Sequence, residues 1–134
     1  MDTPSGSRGT VLVVDDDAQV RALAARALAD EGFDVLQAPD AESALELPHD
    51  PLGANLCLVV TDIVMPGIGG DQLGRVLHDL RPTLPVLYMS GYSRPNLDFL
   101  PPTDLQHCWI EKPFSLQALV ERALALCTPT GAAF

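Results

Sequence analysis

The chain has 134 residues and a formal net charge of −10, from 18 acidic and 8 basic side chains. That length holds one domain with a real core, and 47% hydrophobic residues exclude a disordered chain. The acidity argues against direct nucleic-acid binding, which needs clustered positive charge, and suits a cation or a partner with a basic face.

Residues 1–9 are polar, carry Pro4, Gly6 and Gly9, and read as a flexible lead-in. This start has no apolar core, so it is not a signal peptide. No apolar run approaches the ~20 residues of a membrane span. Thr10 to Val14 predict a strand, TVLVV, that ends in Asp15-Asp16-Asp17. A helix follows from Ala18 to Glu31, with Val20, Leu23, Ala24, Ala27 and Leu28 spaced to share one apolar face. Gly32 is placed to end it. Phe33 to Ala38 predict a second strand. Asp40 caps a short helix holding Ala44, Leu45 and Leu47, and Pro48 to Asn55 form a loop.

Leu56-Cys57-Leu58-Val59-Val60 is an unbroken apolar run, too short for a helix and suited to a strand buried on both faces. It ends in Thr61-Asp62, a carboxylate at a strand's carboxyl end, where ligands of open parallel sheets bind. Met65-Pro66 turns the chain, and Gly67, Gly69 and Gly70 loosen it before a third helix. That helix runs from Gly70 to Leu80, with Leu73, Val76, Leu77 and Leu80 on one face. Pro85 to Ser90 predict a fourth strand ending at Ser90-Gly91. Ser93 to Thr103 should hold a helix shortened or distorted by Pro95, Pro101 and Pro102. His107 to Glu111 predict a fifth strand ending at Lys112-Pro113. Ser115 then caps a last helix with Leu116, Leu119, Val120, Ala123, Leu124 and Cys127 on one face. Thr128 to Phe134 read as a fraying tail, so the expected domain spans residues 10–127.

Five βα units in succession predict an α/β fold, a doubly wound five-stranded parallel sheet with helices on both faces. One of two common strand orders, 2-1-3-4-5, opens its crevice between strands one and three. In that order Asp15 and Asp16 lie beside Asp62, with Ser90 and Lys112 on its other side. Carboxylates so close repel one another unless a cation joins them. An all-oxygen group selects a hard ion such as Mg²⁺. Lys112, the only lysine in the chain, supplies a second positive charge. Ser90 supplies a hydroxyl, and Gly91 leaves room for an incoming group. A carboxylate in this company suits attack on a phosphoryl group, giving an aspartyl phosphate. Asp17 reads as a helix cap. Cys57, Cys108 and Cys127 form no CxxC pair and suggest a reducing compartment. His49, His78 and His107 show no metal-ligand spacing.

Taken together, these residues resemble the receiver domain, the phosphoacceptor module of two-component signalling. The matching residues span Val11 to Leu124: Asp15 and Asp16, Asp62, Met65-Pro66 with Gly70, Ser90-Gly91, and Lys112-Pro113-Phe114. The resemblance implies a flavodoxin-like (βα)5 fold in the 2-1-3-4-5 order. It implies Asp62 as phosphoacceptor, and Mg²⁺ held by Asp15, Asp16, Asp62 and the backbone carbonyl of Val64. It also implies Lys112 on the phosphoryl group, a cis bond to Pro113, and Ser90 as the switch hydroxyl. Trp109 falls at the switch aromatic, which is usually Tyr or Phe. The donor would be a phosphohistidine on a sensor histidine kinase or a histidine phosphotransfer protein. The expected protein is a cytoplasmic signalling module rather than a metabolic enzyme, monomeric or weakly dimeric. The wording VMPG, YMSGY and KPFS most resembles receivers attached to hybrid sensor histidine kinases, so a single-domain regulator and a piece of a hybrid kinase are both expected contexts. A phosphohydrolase of the haloacid-dehalogenase type would want a second Asp where Val64 stands. A degenerate receiver used only for binding would require the whole set to be idle.

Overall fold

The computed structural model describes residues 9–46, 56–91, 109–112 and 114–127. Within them the apolar runs form strands β1 (Thr10–Val14), β2 (Asp34–Ala38), β3 (Leu56–Asp62), β4 (Val86–Ser90) and β5 (Trp109–Glu111). The helices are α1 (Ala18–Asp30), α2 (Ala41–Glu46), α3 (Gly70–Leu80) and α4 (Leu116–Cys127). The strands form one sheet in the order β2-β1-β3-β4-β5, and every pairing is parallel. This is the flavodoxin-like order expected from the sequence.

Strand alternation divides the core between two faces. From β1, Leu12 and Val14 point to one side and Val11 and Val13 to the other. The first side takes α2 and α3 through Ala41, Ala44 and Leu73, together with Val59, Val86 and Tyr88. The second takes α1 and α4 through Ala24, Leu28, Leu119 and Ala123, with Leu58, Val60, Leu87 and Met89. Each fully buried aliphatic side chain contributes about 1.5–3 kcal/mol. β3, like β1 and β4, has cover on both sides, which is why its sequence is a run and not an alternation.

Element ends differ from expectation by a residue in places. Phe33 and Pro85 precede their strands. Phe33 donates its N–H back to the Leu28 carbonyl as part of the helix end, and Pro85 has no N–H for a ladder. Asp17 and Asp40 cap their helices as expected, accepting from the backbone N–H groups of Gln19, Val20 and Ser43. Leu23 departs from its expected place on the buried face of α1. It is 56% exposed, and Ala25 is buried instead. On α3, Val76 and Leu80 are likewise exposed. The predicted loop at 48–55, the helix at 93–103, the start of the fifth strand, Pro113, and the lead-in and tail outside Gly9 and Cys127 lie outside the described residues.

Candidate functional site

The register brings the acidic residues together. Val14 pairs with Thr61, so Asp15 and Asp62 leave adjacent strands side by side at the carboxyl edge. One carboxylate oxygen from each of Asp15, Asp16 and Asp62 lies within 4.8 Å of the others. Asp15 is fully buried, Asp62 is nearly so, and Asp16 is exposed. Three carboxylates at this spacing can coordinate a divalent cation, and the all-oxygen donor set fits a hard one.

Lys112 enters from the far side of β3. Its backbone N–H donates to the Ser90 carbonyl at 2.7 Å, which fixes it at the end of β5. Its Nζ lies 3.2 Å from Asp15 Oδ2 and 3.2 Å from Asp62 Oδ1. Burial works against the Lys112 charge, but Asp15 and Asp62 outweigh it and hold the ammonium above its ordinary pKa. Asp62 is shifted upward too. Burial is the main cause, Lys112 opposes it, and the neighbouring charges of Asp15 and Asp16 add to it. Asp62 is therefore a carboxylate kept short of water, with Lys112 offsetting only part of that cost.

Asp15 is held from three directions. Its N–H donates to the Ala38 carbonyl, its Oδ1 accepts from the Asp17 N–H at 2.9 Å, and its carbonyl accepts from Arg21 Nη1 at 2.6 Å. Arg21 was not among the expected site residues. Nothing in its local pattern marks it, because it acts on a carbonyl six positions upstream. Ser90 is buried at the end of β4, one position beyond the residue paired with Asp62. Trp109 pairs with Tyr88 and packs half-buried against the α2–α3 side of the core. Its carbonyl accepts from Arg122 Nη1 at 2.6 Å, and its indole Nε1 is buried without a hydrogen-bond partner among the described residues.

The loop after β3 stays close to the strand end. The Gly70 N–H donates to the Ile63 carbonyl at 2.8 Å, and a Cβ at Gly70 would fall 1.9 Å from the Asp62 carbonyl oxygen. Only glycine allows this approach. Val64 projects outward, 63% exposed. With Asp62, Lys112 and Gly91 it lines a groove of about 630 Å³, whose apolar wall is Val20, Leu23, Phe114 and Leu116. Among the described residues, a Cβ at Gly91 would meet nothing nearer than Lys112 Cβ at 3.9 Å. The exposed Leu23 and Leu116 face this groove. The helical period marks them as apolar and cannot say that their face meets the site instead of the core.

Residues 11–124 match the sequence model of the response regulator receiver domain. The chain belongs to that family. It is 37% identical over 115 residues to the sensor kinase CckA of Brucella abortus, covering 86% of this chain and 12% of the kinase. It is 32% identical over 113 residues to the response regulator receiver protein CpdR of the same organism, covering 82% of this chain and 89% of that protein. The crystal structure of the receiver domain from the hybrid histidine kinase CckA superposes with a TM-score of 0.72 at 32% identity, covering 90% of this chain and all of that one. The chain spans from 12% to 52% of the length of the larger relatives it matches. As a receiver it belongs with two-component signalling modules and not with metabolic enzymes. Among the described residues, no helix is long and apolar enough to cross a membrane.

Proposed function

We propose that the receiver, residues 10–127, accepts a phosphoryl group on Asp62 from a phosphohistidine, and that Asp15, Asp16, Asp62 and the backbone carbonyl of Val64 hold Mg²⁺ for that transfer. The observation that carries this reading is the Lys112 ammonium set between Asp15 and Asp62, at 3.2 Å from each, beside the three-carboxylate cluster. A merely structural cluster of acids would not line a groove with the carboxylate that burial most opposes.

An Asp62 carboxylate oxygen attacks phosphorus. The new P–O bond forms as the P–N bond to the donor imidazole breaks, and the imidazole keeps the electron pair. Negative charge spreads over the equatorial phosphoryl oxygens. Lys112 balances one of them, and the Ser90 hydroxyl donates to another. When bound, Mg²⁺ supplies the remaining positive charge at that edge. Asp15, already fixed by Arg21 and Asp17, keeps its carboxylate aimed at the cluster without reorganisation. Trp109 is the aromatic whose surroundings change when Ser90 turns toward the phosphoryl group.

The apolar wall of the groove is the surface for the donor. Val20, Leu23, Phe114 and Leu116 form one side of the approach to Asp62, and a helix carrying the phosphohistidine covers them as it presents its imidazole. A cytoplasmic sensor histidine kinase or histidine phosphotransfer protein is the donor class.

Intact mass after incubation with Mg²⁺ and acetyl phosphate tests the acceptor, with Asp62→Asn alongside. One phosphoryl group on the wild type, absent from the variant and labile at high pH, is the expected result. Failure with acetyl phosphate and with a phosphohistidine donor, together with no Mg²⁺ binding, would make the chain an idle receiver used only for binding.

A further inference from the structure

Asp16 is placed differently from the other two acids of the cluster. Asp15 and Asp62 leave adjacent strands and share the Lys112 ammonium. Asp16 lies two residues beyond the end of β1 and is exposed. Among the described residues, its carboxylate has no hydrogen bond or ion pair to hold it. Yet it comes within 4.8 Å of both neighbours. The direction in which its side chain leaves the backbone is set by the two peptide planes that flank it, since each plane is rigid. Both planes are held. The plane before Asp16 carries the Asp15 carbonyl, which accepts from Arg21 Nη1 at 2.6 Å. The plane after it carries the Asp17 N–H, which donates to Asp15 Oδ1 at 2.9 Å. Arg21 is itself tied to this turn. It is the fourth residue of α1, its N–H donates to the Asp17 carbonyl at 2.9 Å, and Asp17 caps that helix. The turn and the helix start thus form a closed ring of bonds around Asp16, and the guanidinium is its side-chain clasp.

We infer that Arg21 is the positioning residue for Asp16: it fixes the peptide plane from which the Asp16 carboxylate is aimed, and so sets the affinity of the cluster for a divalent cation. This rests on the reading of the cluster as a Mg²⁺ site. Arg21 touches neither the cation nor the phosphoryl group; it acts through the backbone. Its charge works against its role. A guanidinium near the cluster repels an incoming cation, so the charge alone weakens binding. Removal of a bystander charge therefore tightens Mg²⁺ binding. Removal of the clasp frees the plane before Asp16 to turn, disperses the exposed carboxylate over many directions, and weakens binding. The two roles predict opposite signs for the same substitution.

The test is a calorimetric titration of the full chain with Mg²⁺ at fixed ionic strength. It compares the wild type, Arg21→Met, Arg21→Lys and Arg26→Met, the last removing an exposed charge from the same helix. Arg21→Met keeps an apolar stem and removes the donor. It should weaken Mg²⁺ binding roughly tenfold, the low end for a group that orients a metal ligand. Arg26→Met should leave the affinity equal or slightly tighter. Arg21→Lys keeps a donor and should recover part of the loss; it also carries the test if the methionine variant folds poorly. Thermal midpoints without Mg²⁺ separate positioning from simple support of the fold. A lower metal-free midpoint with unchanged affinity would overturn the proposal. So would tighter binding by Arg21→Met, or an equal weakening by Arg26→Met. A wild type that binds no Mg²⁺ would remove the metal site itself and this role with it, whereas a wild type and an Arg21→Met variant that bind alike would remove only the role of Arg21.

Discussion

Asp62 and Lys112 are both ionised where burial opposes ionisation, but with opposite consequences for stability. A carboxyl whose folded pKa lies above its unfolded value binds more protons in the native state. Asp62 therefore costs stability once the pH is above its folded pKa, and the cost fades as the pH falls toward the ordinary carboxylate range. Asp62→Asn should raise the neutral-pH thermal midpoint by a few degrees, on the scale of about 1 kcal/mol, and the gain should shrink in acid. Thermal unfolding of both proteins from neutral to mildly acidic pH checks this; a less stable variant at neutral pH would contradict it. Lys112 has the other sign. Its folded pKa lies above its ordinary value, so its contribution is complete below that value and is lost as the pH rises through the folded one. Lys112→Met leaves Asp15 and Asp62 facing each other without their cation. It should cost about 1–3 kcal/mol at neutral pH, less than the ~3–5 kcal/mol for breaking a buried pair because the lysine is partly exposed. Mg²⁺ should restore part of the loss. Urea unfolding with and without Mg²⁺ measures both effects. The meeting of these residues at one sheet edge was legible from the strand ends alone. Their electrostatic condition was not, because it depends on how deeply each is buried, and residue type does not encode that.

At the scale of elements, α3 sits against the sheet through two glycines. A Cβ at Gly74 would meet the Tyr88 hydroxyl at 1.7 Å and its Cζ at 2.6 Å. Gly74→Ala should therefore destabilise by about 1–3 kcal/mol despite the better helix propensity of alanine. Tyr88→Phe removes the nearest atom and should recover part of that loss, a coupling that a double-mutant cycle would read directly. Additive losses would show that helix and strand move apart instead of clashing. Gly70→Ala has no such remedy, since its neighbour is the Asp62 backbone; it should reduce phosphorylation as well as stability. At the edge, the described part of β5 is three residues, and Arg122 of α4 holds its Trp109 carbonyl. Emission from Trp109, the single tryptophan, should change when a phosphoryl mimic and Mg²⁺ are added. An unchanged spectrum in a phosphorylated sample would remove Trp109 from the switch. Strands and helices were predictable because apolar runs and helical spacing are local signals. The contacts between elements were not. Gly74 and Tyr88 meet only after the sheet is assembled.

The fold gathers three carboxylates at one edge of its sheet in a chain of net charge −10. Binding of a cation there should stabilise the fold by mass action, by roughly 2.7 kcal/mol at a hundredfold excess over Kd. A titration of thermal midpoint against Mg²⁺ should saturate in the wild type and flatten in Asp16→Ala, whereas a monovalent salt at equal ionic strength should have a smaller effect. Topology at this scale was readable because right-handed crossovers leave few arrangements for five βα units. The groove beside Asp62 was not, since its apolar wall has the same composition as a core-facing stripe. The chain's one lysine has a practical consequence as well. Its ε-amine sits between Asp15 and Asp62 with its proton held tightly, and an acylating reagent needs that proton gone. Side-chain amine labelling of the native protein therefore reports on a single position, slow while the ion pairs are intact and faster once they loosen. The rate at which an activated ester finds Lys112 becomes a clock for the opening of the site itself.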